Sequence, residues 1–173
     1  MQRDILVTLQ AEHDALRGLF QEINSTTDRA KKKRTELLKD IEAALIPHAK
    51  WEELHFYPAF KERADRDGLK THAEAVIEHQ AVELTVLPEV KASDVETPRF
   101  AGAAKVLGEM VDHHATEEET TMFKMARKLF SAKERAELDV QYEQWKASPA
   151  SKAVMTHAEV KTGLKAVIKK IIP

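Results

Sequence analysis

The chain has no cysteine among its 173 residues. Disulfides, thiolate zinc sites and cysteine-held iron–sulfur clusters are thereby excluded, and a reducing compartment is compatible with the composition. Five glycines and six prolines leave few chain breakers, and no alternating apolar–polar run bounded by turns reads as a strand. No apolar run reaches the ~18 residues needed to span a bilayer. The start at Met1-Gln2-Arg3-Asp4 also lacks the apolar stretch and small-residue cleavage site of a secretory leader. An excess of one charge is missing too, since 27 Lys and Arg stand against 29 Asp and Glu for a net charge of −2. No global field therefore draws the chain to nucleic acid or to a membrane surface. A cytoplasmic, nearly all-helical protein is expected, long enough for one core burying roughly 70% of its unfolded surface.

What the chain does have is histidine and carboxylate at helical spacing. His48-Ala49-Lys50-Trp51-Glu52 and His114-Ala115-Thr116-Glu117-Glu118 each set an imidazole and a carboxylate four residues apart. On a helix these share one face with roughly 6 Å between Cβ atoms, close enough to reach one ion or two adjacent ions. His13 and His79 each stand inside an apolar stripe. The pairs His13 and His79, His48 and His114, and Glu52 and Glu118 are all 66 residues apart, as a duplicated helical hairpin would place them. Burying four imidazoles and two carboxylates without a cation would cost several kcal/mol per unpaired charge. Carboxylates can hold two ions together while imidazoles cap the outer positions, a donor set suited to first-row transition metals and not to calcium or magnesium. The spacing predicts a dinuclear transition-metal centre, of iron or of another first-row metal such as zinc or manganese.

The apolar periodicity supplies the scaffold. A first helix over about 3–24 aligns Ile5, Leu9, His13, Leu16, Phe20 and Ile23. A second, capped by Thr27 or Asp28, aligns Leu38, Ile41, Leu45, His48, Glu52, His55 and Ala59, with kinks expected at Pro47 and Pro58. Asp67-Gly68 reads as the turn between the two halves. A third helix over about 69–91 aligns His72, Val76, His79, Val82, Val86 and Val90. Thr97 then caps a fourth that begins at Pro98 and aligns Phe100, Ala103, Leu107, Met110, His114, Glu118, Thr121, Met125 and Leu129. The expected fold is all-α, an antiparallel up-down-up-down four-helix bundle over 1–130. A helical extension over 131–173 follows. Ser131 and Glu134 form a capping box opening a fifth helix that ends near Ala147. A sixth helix carries Val160, Leu164, Val167, Ile168 and Ile171 on one stripe. That stripe docks on its own bundle or on a second copy, so the chain is a monomer or a homo-oligomer through its C-terminal helix.

Other polar residues read as less central. His55 and His72 lie seven residues from His48 and His79, hence about 10.5 Å along the axis and too far to share an ion. His113 competes with its neighbour, but the 66-residue spacing favours His114. Glu53, Glu117 and Glu119 read as solvated flanks, and Lys31-Lys32-Lys33-Arg34 as an exposed helix start.

Glu12-His13, His48 to Glu52-Glu53, Glu78-His79 and His114 to Glu118-Glu119, with the run Glu52-Glu-Leu-His-Phe-Tyr-Pro58, resemble the hemerythrin-like, or HHE cation-binding, family over about residues 3–129. The resemblance implies a non-haem di-iron centre. Glu52 and Glu118 would bridge the irons beside an oxo or hydroxo group, His13 and His48 would hold one iron, and His79 and His114 the other. The chain departs from oxygen-carrying hemerythrins, which have a second histidine four residues from that on the third helix; Ala75 and Glu83 stand at those offsets here. Unless Glu83 supplies the missing ligand, both irons keep an open position. This favours reaction with oxygen, peroxide or nitric oxide, with peroxide breakdown or ferrous-iron oxidation foremost. The alternatives are a non-catalytic oxygen or nitric-oxide carrier or sensor, an iron-handling protein, and a metal-free helical interaction domain.

Overall fold

Asp4 opens the first helix by accepting the Leu6 N–H at 3.0 Å. The computed structural model describes residues 3–154; the expected sixth helix lies outside them. Helix α1 spans Ile5–Asn24. A second rod runs as α2 (Lys31–Trp51), a π-helical turn (Glu52–Phe56) and α3 (Tyr57–Lys61). The third comprises α4 (Arg66–Ala81), a π-helical turn (Val82–Val86) and α5 (Leu87–Ala92), and the fourth α6 (Pro98–Glu117), a π-helical turn (Glu118–Met122) and α7 (Phe123–Leu129). Helix α8 (Ala132–Ala147) begins at the expected Ser131–Glu134 capping box.

Two of the π-helical turns have a local cause. Pro58 and Pro88 carry no N–H for the carbonyl one turn back. The ladder widens ahead of each, so that the Tyr57 N–H reaches the Glu52 carbonyl and the Leu87 N–H that of Val82. The turn in the fourth rod contains no proline, yet it begins on Glu118 as the other begins on Glu52, with the Phe123 N–H bonded to the Glu118 carbonyl. Each widened turn carries one extra residue and rotates the following helix. Beyond Glu52 the buried residues are therefore Phe56, Tyr57 and Phe60, not the expected His55 and Ala59. Beyond Glu118 they are Met122, Phe123 and Ala126, while Thr121 is exposed and Met125 only half-buried.

Three other expectations are corrected. Neither Thr27 nor Asp28 caps the second rod, which starts at Lys31 after Ala30 with no side-chain cap. Asp67-Gly68 lies inside the first turn of α4, where Asp65 is the cap and accepts the Gly68 N–H at 2.9 Å. The hairpin connection is thus 62–65, and a Cβ on Gly68 would come within 2.9 Å of the Ala64 Cβ. Arg34 is not part of an exposed start. It is buried, donating to Thr26, Asp28 and the Val95 carbonyl, and so ties the beginning of α2 to the loop before α6.

The rods form an antiparallel four-helix bundle in which α1 packs on α2 and α6, α3 on α4, and α5 on α6. Their buried residues fall into two apolar clusters. One gathers Leu9, Trp51, Phe56, Tyr57, Phe60 and Phe123, the other Leu16, Phe20, Ile41, Leu45, Leu107 and Val111. On each rod the buried histidine lies between residues of the two clusters, as His13 does between Leu9 and Leu16. Helix α8 packs along α1 and α2. Among the described residues no helix is long and apolar enough to cross a membrane.

Candidate metal centre

All six residues singled out by spacing are buried: His13, His48, Glu52, His79, His114 and Glu118. Helix periodicity brings each inward, with α1, α2, α4 and α6 giving one imidazole apiece and the starts of two π-helical turns giving the carboxylates. Nε2 of His13 lies 3.1 Å from Nε2 of His48, and Nε2 of His79 lies 2.9 Å from Nε2 of His114. Glu52 reaches both pairs, with Oε1 3.2 Å from His48 and Oε2 3.6 Å from His79. Glu118 does the same, its Oε2 standing 3.4 Å from His13 and 3.8 Å from His114. Two sets of ligand-type atoms result, His13 with His48, Glu52 and Glu118, and His79 with His114 and Glu52.

On the other side of each ring, Nδ1 is already committed. His48 Nδ1 donates to Glu12 at 2.9 Å, His114 Nδ1 to Glu78 at 2.8 Å, His79 Nδ1 to Glu53 at 3.1 Å and His13 Nδ1 to Glu119 at 2.9 Å. These outer carboxylates repeat at 66 residues like the inner set, and the four bonds link neighbouring rods into a closed ring. Glu53 and Glu119 are therefore not solvated flanks. The signal that could have found them is their 66-residue spacing and their place beside Glu52 and Glu118. Glu117 is half-buried and lies 3.6 Å from the exposed His113.

With each Nδ1–H given to a carboxylate, a neutral ring presents a lone pair at Nε2. Two lone pairs facing each other at 3.1 or 2.9 Å repel unless a proton or a metal cation joins them. Without metal, protons take that place. Burial alone would lower the pKa of His48, but the charges of Glu52 and Glu12 overcome it and push the value up to about 10. His114 is raised against the same burial by Glu118 and Glu78. Burial favours a neutral Glu118, yet His114 and His13 hold its carboxyl well below the usual range.

The donor set fits metal on two counts. Two nitrogens bound at right angles to one ion, each roughly 2.0–2.1 Å from it, lie about 2.9 Å apart, close to the spacing found within both imidazole pairs. In addition Glu52 Oε1 and Oε2 and Glu118 Oε2 are buried and accept no hydrogen bond among the described residues. Orphaned carboxylate oxygens in an apolar core carry a desolvation cost that a cation would remove.

The two halves differ at one buried residue that spacing did not find. Tyr57 donates from its hydroxyl to Glu118 Oε1 at 2.9 Å and lies 3.2 and 3.3 Å from Nε2 of His79 and His114. The residue 66 positions later is Phe123, whose ring stacks on His13 at 6.0 Å. A π-helical turn puts Tyr57 on the inner face, so an uninterrupted α-helical stripe passes it over. Burial and the charge of Glu118 raise its pKa and keep the phenol protonated.

The remaining candidates lie outside the layer. Glu83 accepts from Lys50 at 2.7 Å and belongs to neither set of ligand-type atoms. Ala75 is buried in the aromatic cluster. His55 is exposed and His72 half-buried. His113 is exposed beside Glu78 and Glu117, confirming His114 as the inward member of that pair.

A family model described as the hemerythrin HHE cation binding domain matches residues 4–126. Among solved structures, a hemerythrin HHE cation binding domain-containing protein from Mycobacterium kansasii superposes with a TM-score of 0.71 at 20% identity, over 90% of this chain and 98% of that one. No curated protein matches.

Proposed function

Because the chain belongs to the hemerythrin HHE cation-binding family, we propose that its buried layer holds two first-row metal ions, iron foremost, and uses them on dioxygen, peroxide or nitric oxide. His13 and His48 hold one ion, His79 and His114 the other, and Glu52 and Glu118 bridge the two. The facing Nε2 pairs at 3.1 and 2.9 Å, with every Nδ1 already bonded to a carboxylate, carry this reading. An iron pair supplies one-electron changes at adjacent ions, which neither the side chains nor zinc could provide.

The chain's own residues do the rest. Glu12, Glu53, Glu78 and Glu119 fix the tautomer and orientation of the rings. Glu52 and Glu118 bring negative charge to balance the cations. Tyr57, its hydrogen given to Glu118, keeps its hydroxyl oxygen beside the His79 and His114 nitrogens, so that the position on that side is polar while the His13 side faces the Phe123 ring. The two positions thus differ in the polarity of their surroundings. The apolar clusters on either side of the layer exclude bulk water. Ala75 offers no third imidazole and Glu83 is engaged by Lys50, which favours turnover of peroxide or oxidation of ferrous iron over reversible carriage. A cytoplasmic location fits this use.

Metal analysis with an optical spectrum tests the proposal. Two ions per chain and an oxo-bridged diferric band are expected, with both ions lost in Glu52→Ala because that carboxylate bridges. Colourless protein free of metal after expression in iron-replete medium overturns it. Hydrogen peroxide consumption separates the uses: a stable, reversible dioxygen adduct without peroxide consumption replaces the enzyme reading by a carrier or sensor.

A further inference from the structure

Among the described residues, only one of the four outer carboxylates is held from outside the bundle. Glu119 is met by Arg17 at 2.8 Å, Glu53 by Lys50 at 2.6 Å, and Glu78 by the exposed His113 at 3.4 Å, all from the rods themselves. Glu12 is met by α8. Lys146 Nζ donates to its Oε1 at 2.9 Å, and the Tyr142 hydroxyl donates to Oε2, the oxygen that also accepts the His48 Nδ1–H. With partners on both oxygens the Glu12 carboxylate cannot turn away from His48.

The register of α8 is fixed along its length. Arg135 donates to Asp4 at 2.9 Å, Asp139 accepts from Thr8, and Tyr142 and Lys146 take Glu12. These partners lie at every fourth residue of α1, one face of a helix. Tyr142 is buried against Trp51 with ring centroids 4.6 Å apart, and Trp51 directly precedes Glu52. The ammonium of Lys146 sits 4.5 Å over the Tyr142 ring. Among the described residues nothing equivalent covers Glu78, the counterpart of Glu12 in the other half.

We propose that α8 is a working part of the metal centre: Tyr142 and Lys146 are positioning residues that lock Glu12 onto His48 Nδ1, so that docking of α8 sets the metal affinity of the His13–His48 position and leaves the His79–His114 position untouched. This rests on the dinuclear reading. Outer partners of a metal-bound histidine are worth roughly 10–100-fold in affinity, so losing the lock should weaken one ion by about tenfold or more.

The test is stepwise removal of zinc by a competing chelator from zinc-loaded wild type, Tyr142→Phe, Lys146→Met and the double variant. Arg135→Met, which loosens the far end of α8 without touching Glu12, serves as the structural control. The expected result is two ions of near wild-type affinity in Arg135→Met, and in the double variant one ion weakened about tenfold or more beside one unchanged. Equal weakening of both ions, no change in either, or the same split in Arg135→Met overturns the proposal. A second readout needs no metal. The His48 Nδ1–H resonance of the metal-free protein should shift and exchange at least tenfold faster in the double variant, while that of His114 stays fixed; an unaltered His48 resonance also overturns the proposal. Should wild type fail to take up two zinc ions, the dinuclear reading fails by itself, and the His48 resonance still decides whether α8 positions that ring.

Discussion

Tyr57 gives its phenolic hydrogen to Glu118 across the bundle at 2.9 Å, whereas Phe123, 66 residues further on, offers Glu52 no such hydrogen. The duplicated layer is symmetric in its metal-type ligands and asymmetric in this donor. Tyr57→Phe leaves Glu118 without its one phenolic donor in a buried site, where a hydrogen bond to a charged group contributes about 1.5–3 kcal/mol. The metal-free variant is expected to melt lower by roughly 5 °C while the loaded variant still carries two ions, since no assigned ligand has been removed. Thermal melts with metal analysis check this; an unchanged metal-free melting temperature would deny the hydroxyl its role.

Glu53 and Glu119 supply the next expectation. Each accepts an Nδ1–H from the histidine on the neighbouring rod, so Glu53→Ala and Glu119→Ala should each lower metal affinity by roughly 10–100-fold. Glu117→Ala should not, because among the described residues the histidine that Glu117 pairs with is the exposed His113, not a buried one. Chelator competition on the three variants decides it, and equal behaviour of Glu117→Ala and Glu119→Ala would contradict the ring of carboxylates.

How the site was legible in the sequence follows from what repeats. An α-helix returns to the same face in three or four residues, so His13, His48, Glu52, His79, His114 and Glu118 could be placed inward from spacing alone. That rule fails wherever the helix widens. The extra residue after Glu52 and after Glu118 turned Tyr57 and Phe123 inward in place of the expected stripe, and Pro58 signalled one of these turns while nothing local signalled the other. Glu53 and Glu119 were misread for a different reason. A glutamate beside a ligand looks solvated until the neighbouring rod is in place to give it an imidazole. Arg34 likewise needed the Val95 carbonyl from a distant loop to justify its burial. Asp67-Gly68 had the composition of a turn, but Asp65, two residues earlier, already caps the helix.

Metal should also be a stabiliser of the fold. Glu52 Oε1 and Oε2 and Glu118 Oε2 are buried and accept no hydrogen bond among the described residues, and an ion that binds only the folded chain adds RT ln(1 + [L]/Kd), about 4 kcal/mol when its concentration is 1,000 times Kd. The melting temperature is expected to rise by roughly 10 °C on loading with two equivalents. A chelated protein should remain helical by circular dichroism, since both apolar clusters persist. Equal melting temperatures for loaded and metal-free protein would show that the ions do not use this buried layer.

The last expectation concerns pH. In the metal-free protein burial opposes a charged His48, but Glu52 and Glu12 raise its pKa from 6.5 to about 10. A group raised in this way adds stability that is complete below its unfolded value near 6.5 and is lost as pH climbs through about 10. Glu12 has the opposite sign. Burial would raise its pKa, but His48, Tyr142 and Lys146 lower it from 4.5 to about 2, so its contribution is complete above 4.5 and is lost as pH falls through about 2. Taken together, these two groups place the metal-free optimum between 4.5 and 6.5, with a melting temperature falling by roughly 5 °C or more toward pH 10. A metal ion replaces the shared proton, so the loaded protein should hold its melting temperature across the same alkaline range. Binding at pH 7 should also release protons, and affinity should rise with pH. Melts of both forms from pH 5 to 10, with calorimetry in buffers of different ionisation enthalpy to count the protons, measure this directly. A metal-free melting temperature that stays flat or rises above pH 7, or metal uptake without proton release, would mean that no imidazolium occupies the space between the facing nitrogens.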